Sequence, residues 1–408
     1  MGTDIVTNHS DMAPDRTPLV NTNRYLKRKV NEQVNYYYVK YDYPGLVWRN
    51  AVIFAVLHAL YLYGFYLSLF SETWSCWLFV YTYAVFGGLG ITAGAHRLWS
   101  HKSYKARLPL RVFLMLCNCI AGQNDLIEWC RDHRLHHKAS ETDADPHNSN
   151  RGWFFAHIGW LLQRKHPKVL EMGKKLDLSD LYADPVLRFQ KSLYWPLALW
   201  FGLILPVSVC HLYFGESLWD SLCIGVWRYV TSLHCTWFVN SAAHIWGTQD
   251  YDTNIEPRES GLVSLGALGE GFHNYHHTFP YDYSTSEHGG YINFTTMFID
   301  FMKFVGLAHS LRSVNQEMIE RRRARTGMVV DKGNLAADRY VNEKEDKPDE
   351  VFTRPSSSVC NRRLSRKRAL DINDNTLDGL YGKEFQPIDL ENDQQRLTET
   401  KEVVKYLL

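Results

Sequence analysis

Four uncharged or nearly uncharged apolar runs, arranged as two pairs, restrict this 408-residue chain more than any other feature. A helix needs about 20 apolar residues to cross the hydrocarbon of a bilayer. Residues 51–70 and 74–95 contain no Asp, Glu, Lys or Arg, and only Ser71, Glu72 and Thr73 separate them. A second pair, 194–214 and 218–243, is joined by Gly215, Glu216 and Ser217. Each pair reads as a transmembrane hairpin, although Asp220 and Arg228 interrupt the last run. The run 108–122 is shorter and contains Arg111, so it is expected to lie in the interface or pack against protein rather than span.

Mean hydropathy of −0.30 hides this division, because it averages an apolar, aromatic middle with polar ends. The ends are residues 1–46 and 321–408, which leaves 47–320 as the membrane domain. The tail has the composition of a disordered segment. Neither three-residue linker carries Lys or Arg, whereas Arg24, Lys27, Arg28, Lys29, Lys40 and Arg49 precede the first run. Arg164, Lys165, Lys168, Lys174 and Lys175 lie between the pairs, and Arg321, Arg322, Arg323 and Arg325 follow them. Since cytosolic flanks of spans are enriched in Lys and Arg, both termini and the central segment are expected to be cytosolic. A formal net charge of +1 gives no reason to expect nucleic acid as a partner. The eight cysteines contain no C-x-x-C pair, which disfavours structural zinc and iron–sulfur clusters.

Against this background the histidines stand out. Nine of the 18 fall in H-R-L-W-S-H (His96, His101), H-R-L-H-H (His133, His136, His137), N-S-A-A-H (His244) and H-N-Y-H-H (His273, His276, His277). In both H-x-x-H-H boxes the i+3 and i+4 spacing places the imidazoles on one helical face. His96 and His101 end the second apolar run, and His244 ends the fourth. All nine therefore reach the same, cytosolic side. Nine imidazoles exceed the roughly four to six ligands one ion takes, and suit two. Neutral nitrogen donors with few carboxylates fit iron that must cycle between ferrous and ferric states. Asp132, Glu141, Asp143, Asp145 and Glu270 are candidates to hold second ring nitrogens.

With the strings around them, G-I-T-A-G-A-H-R-L-W-S-H, G-Q-N-D-L-I-E-W-C-R-D-H-R-L-H-H-K, D-A-D-P-H-N-S, G-W-L-L-Q-R-K-H-P, W-F-V-N-S-A-A-H and L-G-E-G-F-H-N-Y-H-H-T-F-P-Y-D-Y, these boxes resemble the membrane-bound acyl-CoA desaturases, in particular the delta-9 type of animals. The resemblance covers roughly residues 46–308. It implies an all-α membrane protein in which four transmembrane helices carry a cytosolic helical cap holding a di-iron site. It also implies two ferrous ions, one on His96, His101, His133, His137 and His276. The other would sit on His136, His244, His273 and His277, with Asn240 nearby through a water. The implied reaction uses dioxygen and electrons from cytochrome b5 and its NADH-dependent reductase to place a cis double bond at carbon nine of stearoyl- or palmitoyl-CoA, in the endoplasmic reticulum membrane. Asn50, Asn124, Arg131, Asp132, Arg164, Lys165 and Trp237 match positions that contact the CoA-bearing end of the substrate. No H-P-G-G haem string is present, so the electron donor is expected to be a separate protein. Ala84, Gly87 and Gly88 either deepen an acyl tunnel or let helices approach closely. The alternatives are a desaturase of different regiospecificity or a histidine-box hydroxylase of fatty acids or sterols. Asn150 and the His288-Gly289-Gly290-Tyr291 stretch depart from the usual animal pattern without touching a ligand position.

Overall fold

The structure, a computed structural model, describes residues 45–70 and 73–328. The 1–46 segment before Gly45 and the tail beyond Met328 lie outside the described residues. The principal helices are α1 (Trp48–Phe70), α2 (Trp74–Ser100), α3 (Leu108–Ala121), α4 (Leu126–Ala139), α5 (Pro185–Leu212), α6 (Leu218–Asn240), α7 (His273–Thr278), α8 (Phe294–Phe304) and α9 (Gln316–Thr326). A two-residue antiparallel pair, Lys105–Ala106 with Ala308–His309, ties the segment after α2 to the segment after α8.

Among the described residues three helices, α1, α2 and α5, are long and apolar enough to cross a membrane. Four spans were expected. The fourth run does form a continuous 23-residue helix, α6, but its polar residues keep it outside that class. Its charged residues find polar partners on neighbouring segments. Arg228 is fully buried and donates to the carbonyls of Gly202 (2.7 Å) and Ile120 (3.3 Å). Its guanidinium also lies 5.4 Å from the Tyr83 ring centroid. Asp220, near the other end, accepts from the Tyr63 hydroxyl and from Ser217.

The pairing also differs from two simple hairpins. α1 lies chiefly along α6, with which it packs far more extensively than with α2. Gly64 explains why: a Cβ there would stand 2.4 Å from the Cys223 carbonyl oxygen and 2.7 Å from Trp227 Cβ. Gly90 does the same for α2 on α3, where a Cβ would come within 2.2 Å of the Asn118 nitrogen. Gly87 faces Ile120 on α3, while Gly88 faces the end of the Leu268 side chain, so both serve close packing. α3 is too short to span and packs by Leu110, Leu114 and Met115 into the core beneath α4, as expected of the 108–122 run. Its Arg111 pairs with Asp184 (2.9 Å), which also caps the start of α5.

α5 starts nine residues before the expected 194, because Asp184 accepts from Val186 N and Pro185 sets the first turn. α9 continues through residue 321, where the tail was expected to begin. Arg322 pairs with Asp252, Arg323 pairs with Glu287, and Ile319 is buried beside Tyr251 and Phe279, so these contacts anchor the helix to the fold. Gly64→Leu is expected to wedge α1 off α6 and to lower the unfolding temperature of the detergent-solubilised protein by roughly 5 °C. An unchanged unfolding temperature would remove Gly64 as the determinant of this contact.

Candidate metal centre

Helical geometry brings the histidine boxes together. α2 is not α-helical to its end: Gly90–Ser100 has the wider π geometry, and His101 N donates to the His96 carbonyl (3.1 Å), five residues back. In an α-helix, residues five apart point roughly 140° away from each other. The π turn removes that offset, and the His96 and His101 ring centroids lie 4.9 Å apart. Widened turns of this kind recur at functional sites. α4 is α-helical, started by Asp125, whose carboxylate accepts from Ile127 N and Glu128 N. His133, His136 and His137 project from it toward α7, which carries His273, His276 and His277. α7 is itself clamped: Asn274 accepts from Tyr251 N and Asp252 N and donates to Asp252 O and Pro257 O.

The nine imidazoles separate into two groups whose ligand atoms lie within 4.8 Å of one another. One contains His96, His101, His133, His137 and His276; the other contains His136, His244, His273 and His277. Within the first group Nε2 atoms approach to 2.9 Å (His96–His276), 2.8 Å (His101–His133) and 3.0 Å (His276–His137). Within the second the distances are 3.0 Å (His273–His244) and 3.1 Å (His277–His273). Two nitrogens bound at about 2.1 Å to one ion at right angles are roughly 3 Å apart. The spacing is thus that of ligands around a cation.

Second ring nitrogens decide which atoms face inward. His136 Nδ1 donates to Asp145 (3.0 Å) and His244 Nδ1 donates to Glu141 (2.6 Å). His96 Nδ1 lies 2.9 Å from Glu270. A ring that gives its proton to a carboxylate turns an unprotonated Nε2, a lone pair, toward its neighbours. Lone pairs facing one another at hydrogen-bond distance repel unless a cation lies between them, so the donor set fits a metal ion. Burial, reinforced by the neighbouring imidazoles, holds His133, His137, His273, His276 and His277 well below the usual histidine range. His136 is raised instead, because the Asp145 carboxylate outweighs its burial. Glu141 and Glu270 resist the effect of burial and are lowered, the first by its contact with His244 and the second by Arg97 and His96.

Two supports escape a sequence reading. Arg97, fully buried, donates to Glu270, Asn293, Thr296 and the carbonyls of Tyr283 and Ser284, fixing the carboxylate that touches His96. Arg134 bridges Asp180 and the Trp99 and Ser100 carbonyls, locking α4 to the π turn. Their place inside the histidine boxes, directly after His96 and His133, was the available signal. His136, Asp145 and His147 form a third grouping, but Asp145 is committed to His136 Nδ1 and to the backbone nitrogens of Glu141 and His147. It orients a ligand of the second group. Asp143 pairs with Lys168 on the surface instead. Asn240 is the half-buried last residue of α6, four positions before His244.

The candidate substrate contacts are partly assembled. Asp132 binds Arg131 (2.8 Å) and Lys165 (2.5 Å), and Glu128 joins them. Arg164 is exposed beside this cluster in sequence. Asn50 donates to the Leu161 carbonyl (2.8 Å), and Trp237 is buried against the rings of Phe54, His157 and His234. Asn124 lies at positive φ in the turn between α3 and α4.

The fatty acid desaturase family profile matches residues 71–286. The rat protein "Stearoyl-CoA desaturase 2" is 56% identical over 282 residues, covering 69% of this chain and 78% of the relative. Human "Stearoyl-CoA desaturase" is 55% identical with the same coverage, and human "Stearoyl-CoA desaturase 5" is 53% identical over 284 residues, covering 69% and 86%. The chain belongs to the fatty acid desaturase family. It is a desaturase, an oxidoreductase of fatty acid biosynthesis with apolar helices suited to a membrane. In this desaturase, Asp145→Asn is expected to weaken metal binding by about tenfold to a hundredfold, read by chelator competition. Equal retention of metal by the variant and the wild type would mean that Asp145 does not orient His136.

Proposed function

We propose that this chain is a delta-9 acyl-CoA desaturase in which each histidine group holds one iron ion. The observation that carries the reading is the division of nine buried imidazoles into a five and a four, each spaced for one ion, in a chain similar over most of its length to proteins named stearoyl-CoA desaturases. When bound, iron supplies the oxidising chemistry: dioxygen, two electrons and two protons become two waters as two hydrogens leave the acyl chain. The protein residues provide position. Arg97, Glu270, Glu141 and Asp145 fix ligand rings and tautomers, so little reorganisation is needed when the metal changes charge. An unactivated methylene offers no polar handle, so the site of reaction depends on how far the chain extends from a fixed head.

In this proposal the head is held by Asn50, Asn124, Arg131, Asp132, Arg164, Lys165 and Trp237, and Asn240 would join the second histidine group in holding an ion, through a water. α6 is the fourth span, its Arg228 tolerated because backbone carbonyls and Tyr83 surround it. The histidines and both termini face the cytosol in the endoplasmic reticulum membrane, where cytochrome b5 and its NADH-dependent reductase supply electrons. Residues 321–408 belong to the cytosolic end.

Expression in cells lacking their own desaturase, fed labelled stearate and palmitate, tests the reading. Mass spectrometry should find cis-9 monounsaturated products, and His137→Ala should abolish them while the protein stays in the membrane. A hydroxylated product, or a double bond elsewhere, would overturn it.

A further inference from the structure

Three histidines outside the metal centre, His58, His157 and His234, line a cavity of about 490 Å³ where the first turns of α1 meet the last turns of α6. Their hydrogen bonds fix where each proton lies. Ser241 Oγ stands 2.8 Å from the Trp237 carbonyl oxygen, which carries no proton, so the hydroxyl proton lies between the two. His157 Nδ1, 2.9 Å from Ser241 Oγ, must then donate to it, and His157 Nε2 accepts from His234 Nδ1 at 2.9 Å. Burial and the neighbouring His234 ring hold His157 down to about 4, in keeping with this neutral form. His58 Nδ1 donates to the Phe54 carbonyl (2.7 Å). The Nε2 atoms of His58 and His234 are thereby left as lone pairs, on rings whose centroids lie 5.3 Å apart. Neither has a hydrogen-bond partner among the described residues. The cavity offers a ligand two acceptors from these rings and no donor.

The remaining lining is apolar, with the aromatic rings of Phe54, Trp153, Phe154 and Phe238, and among the described residues no Asp, Glu, Lys or Arg lines it. Aromatic faces attract cations. A primary ammonium suits both parts of this lining, since it is a cation with three donors and no acceptor. Positive charge lies beside the cavity rather than in it: exposed Arg49 stands two residues before Ala51, and Arg151 two residues before Trp153. A phosphate outside the cavity would meet these arginines. We propose that the cavity binds the head of phosphatidylethanolamine, with its ammonium on His58 and His234 and its phosphate toward Arg49 and Arg151. The proposal rests on α1 crossing the membrane, which puts its first turns at the level of the lipid head groups. Phosphatidylcholine keeps the positive charge but has no N–H to give, so the two imidazoles discriminate between the lipids. Trp237 packs its ring against Phe54, His157 and His234, so the site adjoins a residue assigned above to the substrate head.

The test is lipid titration of the detergent-purified full chain, with bound lipids counted by native mass spectrometry. Phosphatidylethanolamine should bind roughly tenfold more tightly than phosphatidylcholine of the same acyl chains, as expected when hydrogen bonds to a charged group are lost. His58→Phe should abolish that preference. Ala55→Trp, which fills the cavity without changing a histidine, should abolish it too, and unfolding temperatures identify which variants are folded. Equal binding of the two lipids by the wild type, or a full preference kept by a folded variant, would overturn the proposal. Sphinganine has the ammonium without the phosphate. Tighter binding of sphinganine than of phosphatidylethanolamine would overturn the assignment of the phospholipid. Extraction of cell membranes with alkaline carbonate reports the span separately. A chain retained in the membrane but without lipid preference refutes the site alone, whereas a chain released by carbonate removes the placement on which the site stands.

Discussion

Nine imidazoles enclosed in one interior repel one another unless something positive lies between their lone pairs. Each group crowds its Nε2 atoms to about the spacing of ligands on one ion. Burial and neighbouring rings disfavour protonation, which would otherwise relieve the crowding. The arrangement is therefore one that a metal ion between the rings would satisfy. Every element around it is shaped to hold the rings in place: a π turn for His96 and His101, an N-capped helix for the second box, and an Asn274 clamp for the third.

Charge is spent where it keeps those elements in register. Arg97 joins the π turn to Glu270, and through Asn293 and Thr296 to the start of α8. Arg134 joins α4 to the carbonyls that end α2. Both arginines are buried and multiply bonded, so removing one would strand several polar partners rather than a single ion pair. The membrane-like helices and the metal site are thus mechanically continuous, because α2 belongs to both.

Much of this is legible in the sequence, and the misses share a cause. The two H-x-x-H-H boxes follow from α-helical spacing, and α4 and α7 present them accordingly. His96 and His101 do not, since five residues is the wrong spacing for an α-helical face. Only the backbone hydrogen bond between them makes the pair. Apolar runs located α1, α2 and α5, but composition could not show that Asp184 starts α5 early or that α1 prefers α6 to α2. Those outcomes depend on one cap and on one glycine contact at Gly64, each a tertiary fact. α6 is the reverse case. Its Arg228 weakened the reading as a span, yet the structure surrounds that arginine with carbonyls and a tyrosine ring.

The cationic face assigned to the substrate head carries a final constraint. Arg131 and Lys165 share Asp132, with Glu128 close by, so their charges are largely compensated within the protein. A phosphate arriving there must compete with a carboxylate for Lys165. Arg164 is exposed and next to it in the chain, and it can meet a phosphate without first losing a partner of that cluster. Asp132 holds Arg131 and Lys165 at a fixed separation, and its part in the proposed binding of the head is toward polar groups rather than phosphates, since like charges repel. Asn50, bonded to the Leu161 carbonyl, fixes the same strand of chain from the side of α1. On the proposed function, Arg164 would meet the phosphates of the head, while Asp132 and Asn50 would face its polar groups and also fix the segment that carries Arg164 and Lys165.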